Sequence, residues 1–234
     1  MSDIKNILIN KDSSSQSIWF MRQAGRYLPE FRNIRLKNKN FIKLCLNSDL
    51  SSEITLQPII RYNLDSAIIF SDILIVPYAL GQKVEFIKNK GPQLSKFNIY
   101  KFSNINEEDF LKKLKPIYKA IKKTRKKLNK KKSLISFVGA PWTLIVYMLG
   151  LKEEKNKINT IILNNQKNNI SLIIKKLTNL LCLHIKHQIN AGADVVQIFD
   201  SWAGLIPGNK LRDYCFNPNL EIVDFCKKNN IPVI

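Results

Sequence analysis

The chain has 234 residues, a formal net charge of +20 and 45% hydrophobic residues. That length makes one domain the first expectation and suffices to bury a core, at an ordinary globular composition. No apolar run approaches a membrane span, and the polar start, Met1 to Gln16, lacks the apolar centre of a signal peptide, so neither is expected.

The positive charge is compatible with nucleic acid, an acidic membrane surface or an anionic substrate. The lysines, however, are scattered or lie in helical runs, as from Lys122 to Lys132, where a solvated helix face is the plain reading. Abundant Lys, Asn and Ile read as compositional bias, so neither nucleic acid nor membrane is expected as a partner. Cys45, Cys182, Cys215 and Cys226 show no Cys-x-x-Cys spacing and read as reduced thiols of a cytoplasmic protein.

In chain order, residues 1–16 read as a polar lead-in and 17–234 as one domain. Ser17 to Met21 is the first apolar run and reads as a buried strand. Pro29 pushes Leu28 out of the helical region, so a helix begins near Glu30 and another near Phe41. Ser48 and Ser51 are candidate N-caps for a helix through Ile54, Ile59 and Ile60. The second strand is Ser66 to Phe70. An excursion from Val76 to Lys101 contains an extended piece, Lys83 to Ile87, and a turn at Gly91-Pro92. A helix starts near Asn106, with Glu107, Glu108 and Asp109 suiting its dipole, and Pro116 is expected to open another. The third strand, Leu134 to Val138, leads through Gly139-Ala140-Pro141 into a helix carrying Trp142 to Leu149. A long helical region, 158–190, breaks near Asn164 to Asn169 and ends at Gly192. The fourth strand is Asp194 to Phe199. Asn209 to Lys228 is helical, and Pro232 to Ile234 starts a fifth strand.

This alternation predicts parallel strands with crossover helices. Arg22, Asp72, Gly139 and Ser201 each follow an apolar strand, so they emerge at one C-terminal face, where barrel enzymes place their sites. No Gly-x-Gly-x-x-Gly follows the first strand, which counts against a dinucleotide fold.

Four of the seven arginines, Arg22, Arg26, Arg32 and Arg35, fall just after the first apolar run. A planar fork is chosen over Lys where carboxylate or phosphate must be held by two hydrogen bonds. Glu30 alone cannot neutralise four guanidinium groups, so this segment reads as an anion site. Gly25 within it lets the backbone bend or approach a ligand. Asp72 is a carboxylate among apolar neighbours, hence either paired or poised for function. His184 and His187, with Cys182 near, lack zinc-site spacing and read as surface or partly buried structural residues. No metal is expected.

Met21-Arg22-Gln23-Ala24-Gly25-Arg26-Tyr27-Leu28-Pro29-Glu30-Phe31-Arg32 resembles the N-terminal signature of the uroporphyrinogen decarboxylase family. Three later stretches resemble it in family order: Ile69 to Leu74, Gly139 to Leu144, and Phe199 to Gly204. The resemblance implies a (β/α)8 TIM-type barrel, here truncated after about the start of the fifth strand. It implies conversion of uroporphyrinogen III to coproporphyrinogen III with loss of four CO₂, without cofactor, by a full-length homodimer, and inactivity of the truncated chain by itself. It assigns catalysis to Asp72 and Tyr147. Substrate binding falls to Arg22, Gln23, Ala24, Gly25, Arg26 and Arg35, with Asp72, Tyr147 and Ser201. An acid usually precedes the glycine after the Tyr-Met pair; here Leu149 stands before Gly150. A corrinoid-linked methyltransferase on a related barrel is the first alternative, and it would need zinc-binding His and Cys. A basic nucleic-acid-binding or scaffold protein on a decayed barrel is the second, and it would need interleaved aromatic and basic residues.

Overall fold

The structure is a computed structural model that describes residues 4–11, 14–87, 90–153 and 157–234. Its centre is a parallel sheet of β1 (Ser66–Ile68), β4 (Ser133–Gly139) and β5 (Val195–Phe199), with β4 in the middle. Val233 adds a bridge beside Val196 on the far side of β5, where the sequence places a fifth strand. An antiparallel hairpin, β2 (Val84–Ile87) and β3 (Gly91–Leu94), stands apart from the sheet. The helices are α1 (Ile4–Asn10), α2 (Pro29–Lys37), α3 (Phe41–Cys45), α4 (Ser48–Tyr62), α5 (Ile75–Ala79), α6 (Ile99–Ser103), α7 (Glu107–Lys127), α8 (Pro141–Met148), α9 (Thr160–Asn165), α10 (Lys167–Asn190) and α11 (Asn217–Lys228). Helices alternating with parallel strands in this order form part of a (β/α) barrel.

β4 is buried along almost its whole length, as a strand covered on both faces must be. On one face, Ile68, Ile135 and Val195 pack together with Ile4 of α1, and Trp19 leans on them. On the other, the helices bury Leu134, Val138 and Val196 in the main core. The polar lead-in thus contains a docked helix: Lys5 N donates to Ser133 Oγ at 3.2 Å, at the start of β4.

Several sequence expectations need correction. Ser17 to Met21 is neither a strand nor buried. Ile18, Phe20 and Met21 are exposed, and Ile18 makes one closed pair, with the backbone N–H and side chain of Asp65. The chain then turns, because Phe20 N donates to the Gln23 side chain instead of a neighbouring strand. Pro116 does not open a helix; α7 runs through it. Its missing N–H leaves the Lys112 carbonyl without a helical donor, but Lys112 is exposed to water. Buried Leu114, Ile117 and Ile121 hold both halves of α7 to the core. Asn47, not Ser48 or Ser51, caps α4, accepting from Asp49 N and Leu50 N. Ile60 on that helix is exposed. Gly91-Pro92 begins β3 rather than forming the turn.

The lower end of the sheet is fixed by charge. Arg125 of α7 donates to Asp194 Oδ2 at 2.8 Å and to the carbonyls of Leu128, Asn129 and Lys132. Asp194 Oδ2 also accepts from Leu134 N at 2.8 Å, and Lys5 Nζ lies 3.7 Å from Oδ1. One partly buried ion pair thus joins α7, the loop before β4, and β5. Arg125→Met should destabilise the fold by about 2–3 kcal/mol, since it strips a half-buried carboxylate and three carbonyls of their donor. Chemical denaturation of both proteins measures this; a loss under about 0.5 kcal/mol, the usual range of a surface change, would show the tie to be dispensable.

Candidate active site

The register of the sheet brings the chemistry-bearing residues to one level. Ile68 pairs with Ile135, and Ile135 with Val195, so Asp72, Gly139 and Phe199, each four residues further on, leave the sheet together. Above Ile69 the ladder of β1 stops, and α4 takes over: Phe70 N donates to Thr55 Oγ1 at 2.8 Å, and Ser51 Oγ donates to Phe70 O at 2.6 Å. Ser51 therefore tethers a strand end where an N-cap was expected. Gly139 is tightly packed: a Cβ there would lie 3.1 Å from Ile73 Cβ and 2.9 Å from Leu144 Cδ2, so both side chains would have to shift.

Asp72 follows Phe70 and Ser71. Its Oδ1 accepts from Leu74 N at 2.8 Å and closes the turn into α5. Part of the residue's surface is open, but the carboxyl is crowded by protein. Burial pushes its pKa up to about 6, against the opposing effects of the Leu74 N–H and the Arg22 charge. Tyr147 of α8 lies within the same field. Burial raises its pKa, Asp72 adds to this, and Trp202 and Arg22 oppose it. Arg22, Asp72 and Tyr147 thus lie within electrostatic reach of one another.

The arginines divide in two. Glu30 is taken by a fifth arginine, Arg61, through two hydrogen bonds of 2.9 and 3.1 Å. Arg32 donates to the carbonyls of Arg26 and Tyr27. Arg35 donates to the carbonyls of Asn38 and Lys39 and sits over the Phe41 ring. Arg22 and Arg26 are exposed and, among the described residues, have no ion pair or side-chain hydrogen bond. Gln23 is buried and structural in its side chain, which bridges Phe20 N and Ser66 O. Its carbonyl accepts from the Tyr27 hydroxyl. Ala24 packs against Leu28, Phe31, Leu44 and Ile54. A Cβ at Gly25 would make an ordinary 3.6 Å contact with Tyr27, so no protein atom demands glycine there.

At the end of β5, Ser201 is exposed and Asp200 is not. Asp200 accepts from Thr143 Oγ1 at 2.7 Å, Asn219 Nδ2 at 3.1 Å and Cys215 Sγ at 3.2 Å. Thr143 Oγ1 in turn accepts from Trp202 N at 3.0 Å, and Trp142 Nε1 donates to Trp202 O at 2.9 Å. Reading Ser201 alone in its motif missed these neighbours. The signal was an Asp beside a Trp at a strand end, with Thr143 in the partner motif.

His184 is fully buried, unlike the expectation of a surface or partly buried residue. Tyr118 Oη contacts its Nδ1 at 2.9 Å and Gln188 Nε2 its Nε2 at 2.8 Å. Burial drives its pKa down to about 3, with the neighbouring His187 adding to this, so it stays neutral. Among the described residues, no three His, Cys, Asp or Glu are grouped to hold a metal, and no helix is long and apolar enough to cross a membrane.

Part of a parallel (β/α) barrel with a half-buried acid at its strand C-termini is the layout in which barrel enzymes place their sites. Residues 3–234 match the family described as Uroporphyrinogen decarboxylase (URO-D). The uroporphyrinogen decarboxylase of Orientia tsutsugamushi (strain Ikeda) is 43% identical over 230 residues, covering 97% of this chain and 67% of that protein. That of Campylobacter jejuni (strain RM1221) is 42% identical over 223 residues, covering 93% and 65%. A solved methyltransferase from Methanosarcina mazei superposes with a TM-score of 0.74 over 100% of this chain and 69% of its own, at 13% identity, a likeness of fold alone. The chain belongs to the uroporphyrinogen decarboxylase family and spans about two thirds of the length of these relatives.

The state of Asp72 yields a test that needs no substrate. The folded protein holds this proton more tightly than the unfolded chain, so stability contributed by the group falls as pH rises from about 4 through about 6. Asp72→Asn keeps the acceptor for Leu74 N and removes the charge. It should be more stable than the parent at pH 8 by about 1–2 kcal/mol, discounted for the carboxyl's partial access to water, with the gain vanishing near pH 4. Equal stability of the two proteins at pH 8 would mean that the carboxylate is not desolvated.

Proposed function

We propose that this protein removes CO₂ from the acetate side chains of uroporphyrinogen, giving coproporphyrinogen. The observation that carries the reading is the enclosed carboxyl of Asp72 beside Arg22 and Tyr147, on a chain of this family. Each acetate loses the bond from its methylene to the carboxylate. The electron pair enters a pyrrole ring that has been protonated at carbon, CO₂ departs, the methylene takes a proton to become methyl, and the ring carbon gives up the proton it gained, so the pyrrole is restored and one proton is consumed per CO₂. The substrate is its own electron sink.

The protein's tasks are then to grip carboxylates and to stabilise a cation. Asp72 suits the second. Burial disfavours its charge in the free protein, and a pyrrole cation with N–H donors supplies the missing counter-charge. Tyr147 lies beside it as a further polar group. Arg22 and Arg26 suit the first task, as unpaired forks at the rim. Arg35 serves from behind, since its guanidinium is committed to backbone carbonyls. The Gln23 side chain points inward, so Gln23, Ala24 and Gly25 offer backbone, with room at Gly25 for close approach. The exposed Ser201 hydroxyl suits a substrate carboxylate. A cytoplasmic setting fits four unpaired thiols; the homodimer rests on the resemblance.

Incubation with uroporphyrinogen under reducing conditions, with product analysed after oxidation, tests the activity. Asp72→Asn should lower turnover by about a hundredfold or more, in line with the loss of one preorganised electrostatic partner. Wild-type turnover in that variant would remove Asp72 from the mechanism. Arg22→Lys keeps the charge and loses the fork, so KM should rise more than a change of salt achieves in the parent. Identical kinetics would mean that Arg22 does not clamp a carboxylate.

A further inference from the structure

Trp202 stands out among the groups that the reading above leaves unused. Its indole Nε1 is buried and, among the described residues, has no partner within ordinary hydrogen-bond distance, which is costly for a donor unless a partner is near; the polar group it acts on is the Tyr147 phenol. Its ring meets that of Tyr147 edge to face, with centroids 5.9 Å apart and planes at 63°. Its backbone is held on both sides by α8, the helix that carries Tyr147. Thr143 Oγ1 takes the Trp202 N–H, and Trp142 Nε1 reaches the Trp202 carbonyl. Asp200 locks Thr143 in turn. Three residues thus fix the backbone that carries the indole beside this phenol. Lys152 Nζ lies 4.3 Å from the Trp202 ring centroid, where a cation draws electron density from the indole and strengthens its N–H as a donor.

We propose that Trp202 is a positioning residue for Tyr147: its indole N–H donates to the phenol oxygen and so turns the phenol O–H toward whatever lies beside Asp72. A phenol oxygen has one proton to give and lone pairs to receive. Once a lone pair is engaged by a fixed N–H, the direction of the remaining O–H is restricted. The electrostatics agree, since Trp202 opposes the effect of burial on Tyr147. The assignment rests on the reading of Tyr147 as a site residue, but its test does not.

The full chain is made with 3-fluorotyrosine, which titrates at lower pH than tyrosine, and followed by fluorine NMR. Tyr147→Phe identifies the Tyr147 line among the seven tyrosines. Trp202→Phe keeps an aromatic ring and removes the donor; Trp202→His returns an N–H. The Tyr147 midpoint should rise by about one pH unit in the Phe variant, the scale of a lost hydrogen bond to an anion, and return most of the way in the His variant. Unmoved lines of the other tyrosines report a retained fold. A Phe variant that titrates like the parent overturns the proposal, and so does a His variant that follows the Phe variant, since that outcome marks lost packing. Decarboxylation kinetics separate the two readings. If Tyr147→Phe leaves turnover intact, the role of Tyr147 in the reaction fails, while the titration still decides whether Trp202 positions it.

Discussion

The register of β4 between its two neighbours governs the rest of the molecule. A slip of one residue would turn every side chain of the strand to the opposite face and move the strand end relative to Asp72 and Asp200. The lower end of the strand is pinned by Arg125 and Asp194, which bind the loop before β4 to the start of β5. The upper end is pinned by Ala140 N, which donates to Phe199 O at 2.9 Å. Between these ties the ladder carries the alignment upward, so an ion pair at the foot of the sheet fixes the height at which the chemistry emerges.

At that height the molecule separates scaffold arginines from unpaired ones. Arg61 absorbs Glu30, while Arg32 and Arg35 satisfy carbonyls around α2. Among the described residues, Arg22 and Arg26 are left without a hydrogen-bonded or ion-pair partner, on a loop whose buried anchor is Gln23. The enclosed carboxyl of Asp72 works in the opposite sense. It lowers the stability of the empty fold above its pKa, and that same deficit of counter-charge is what a cation brought beside it would relieve.

Much of this was legible in the sequence because it is local. The apolar runs at Ser66, Leu134 and Asp194 appear as strands, and the residues after them form one edge. The break between α9 and α10 and the positive φ of Gly192 follow from residue type. What was not legible depended on distant partners. Ser17 to Met21 has the composition of a strand, but its backbone meets Asp65 and its own Gln23. Pro116 has the chemistry of a helix start, but tertiary packing of Leu114 and Ile117 carries α7 through it. Ser51 resembles a cap until Phe70, far along the chain, is seen to use its hydroxyl. At the site, Asp72 and the arginine cluster could be read from their neighbours in sequence. The partition of the arginines, and the clamp that fixes Trp202, exist only once α2, α4, α8 and β5 are assembled.

The docking of α1 carries a practical lesson for anyone handling this protein. Ile4 closes the apolar patch formed by Ile68, Ile135 and Val195, and Lys5 touches both Ser133 and Asp194. Ile4 and Lys5 of α1 are therefore part of the floor of the barrel. An affinity tag or fusion partner joined immediately ahead of this helix is placed against the register-setting end of the sheet, and proteolytic trimming there would open that floor to water. A short flexible spacer ahead of α1 is the sparing choice.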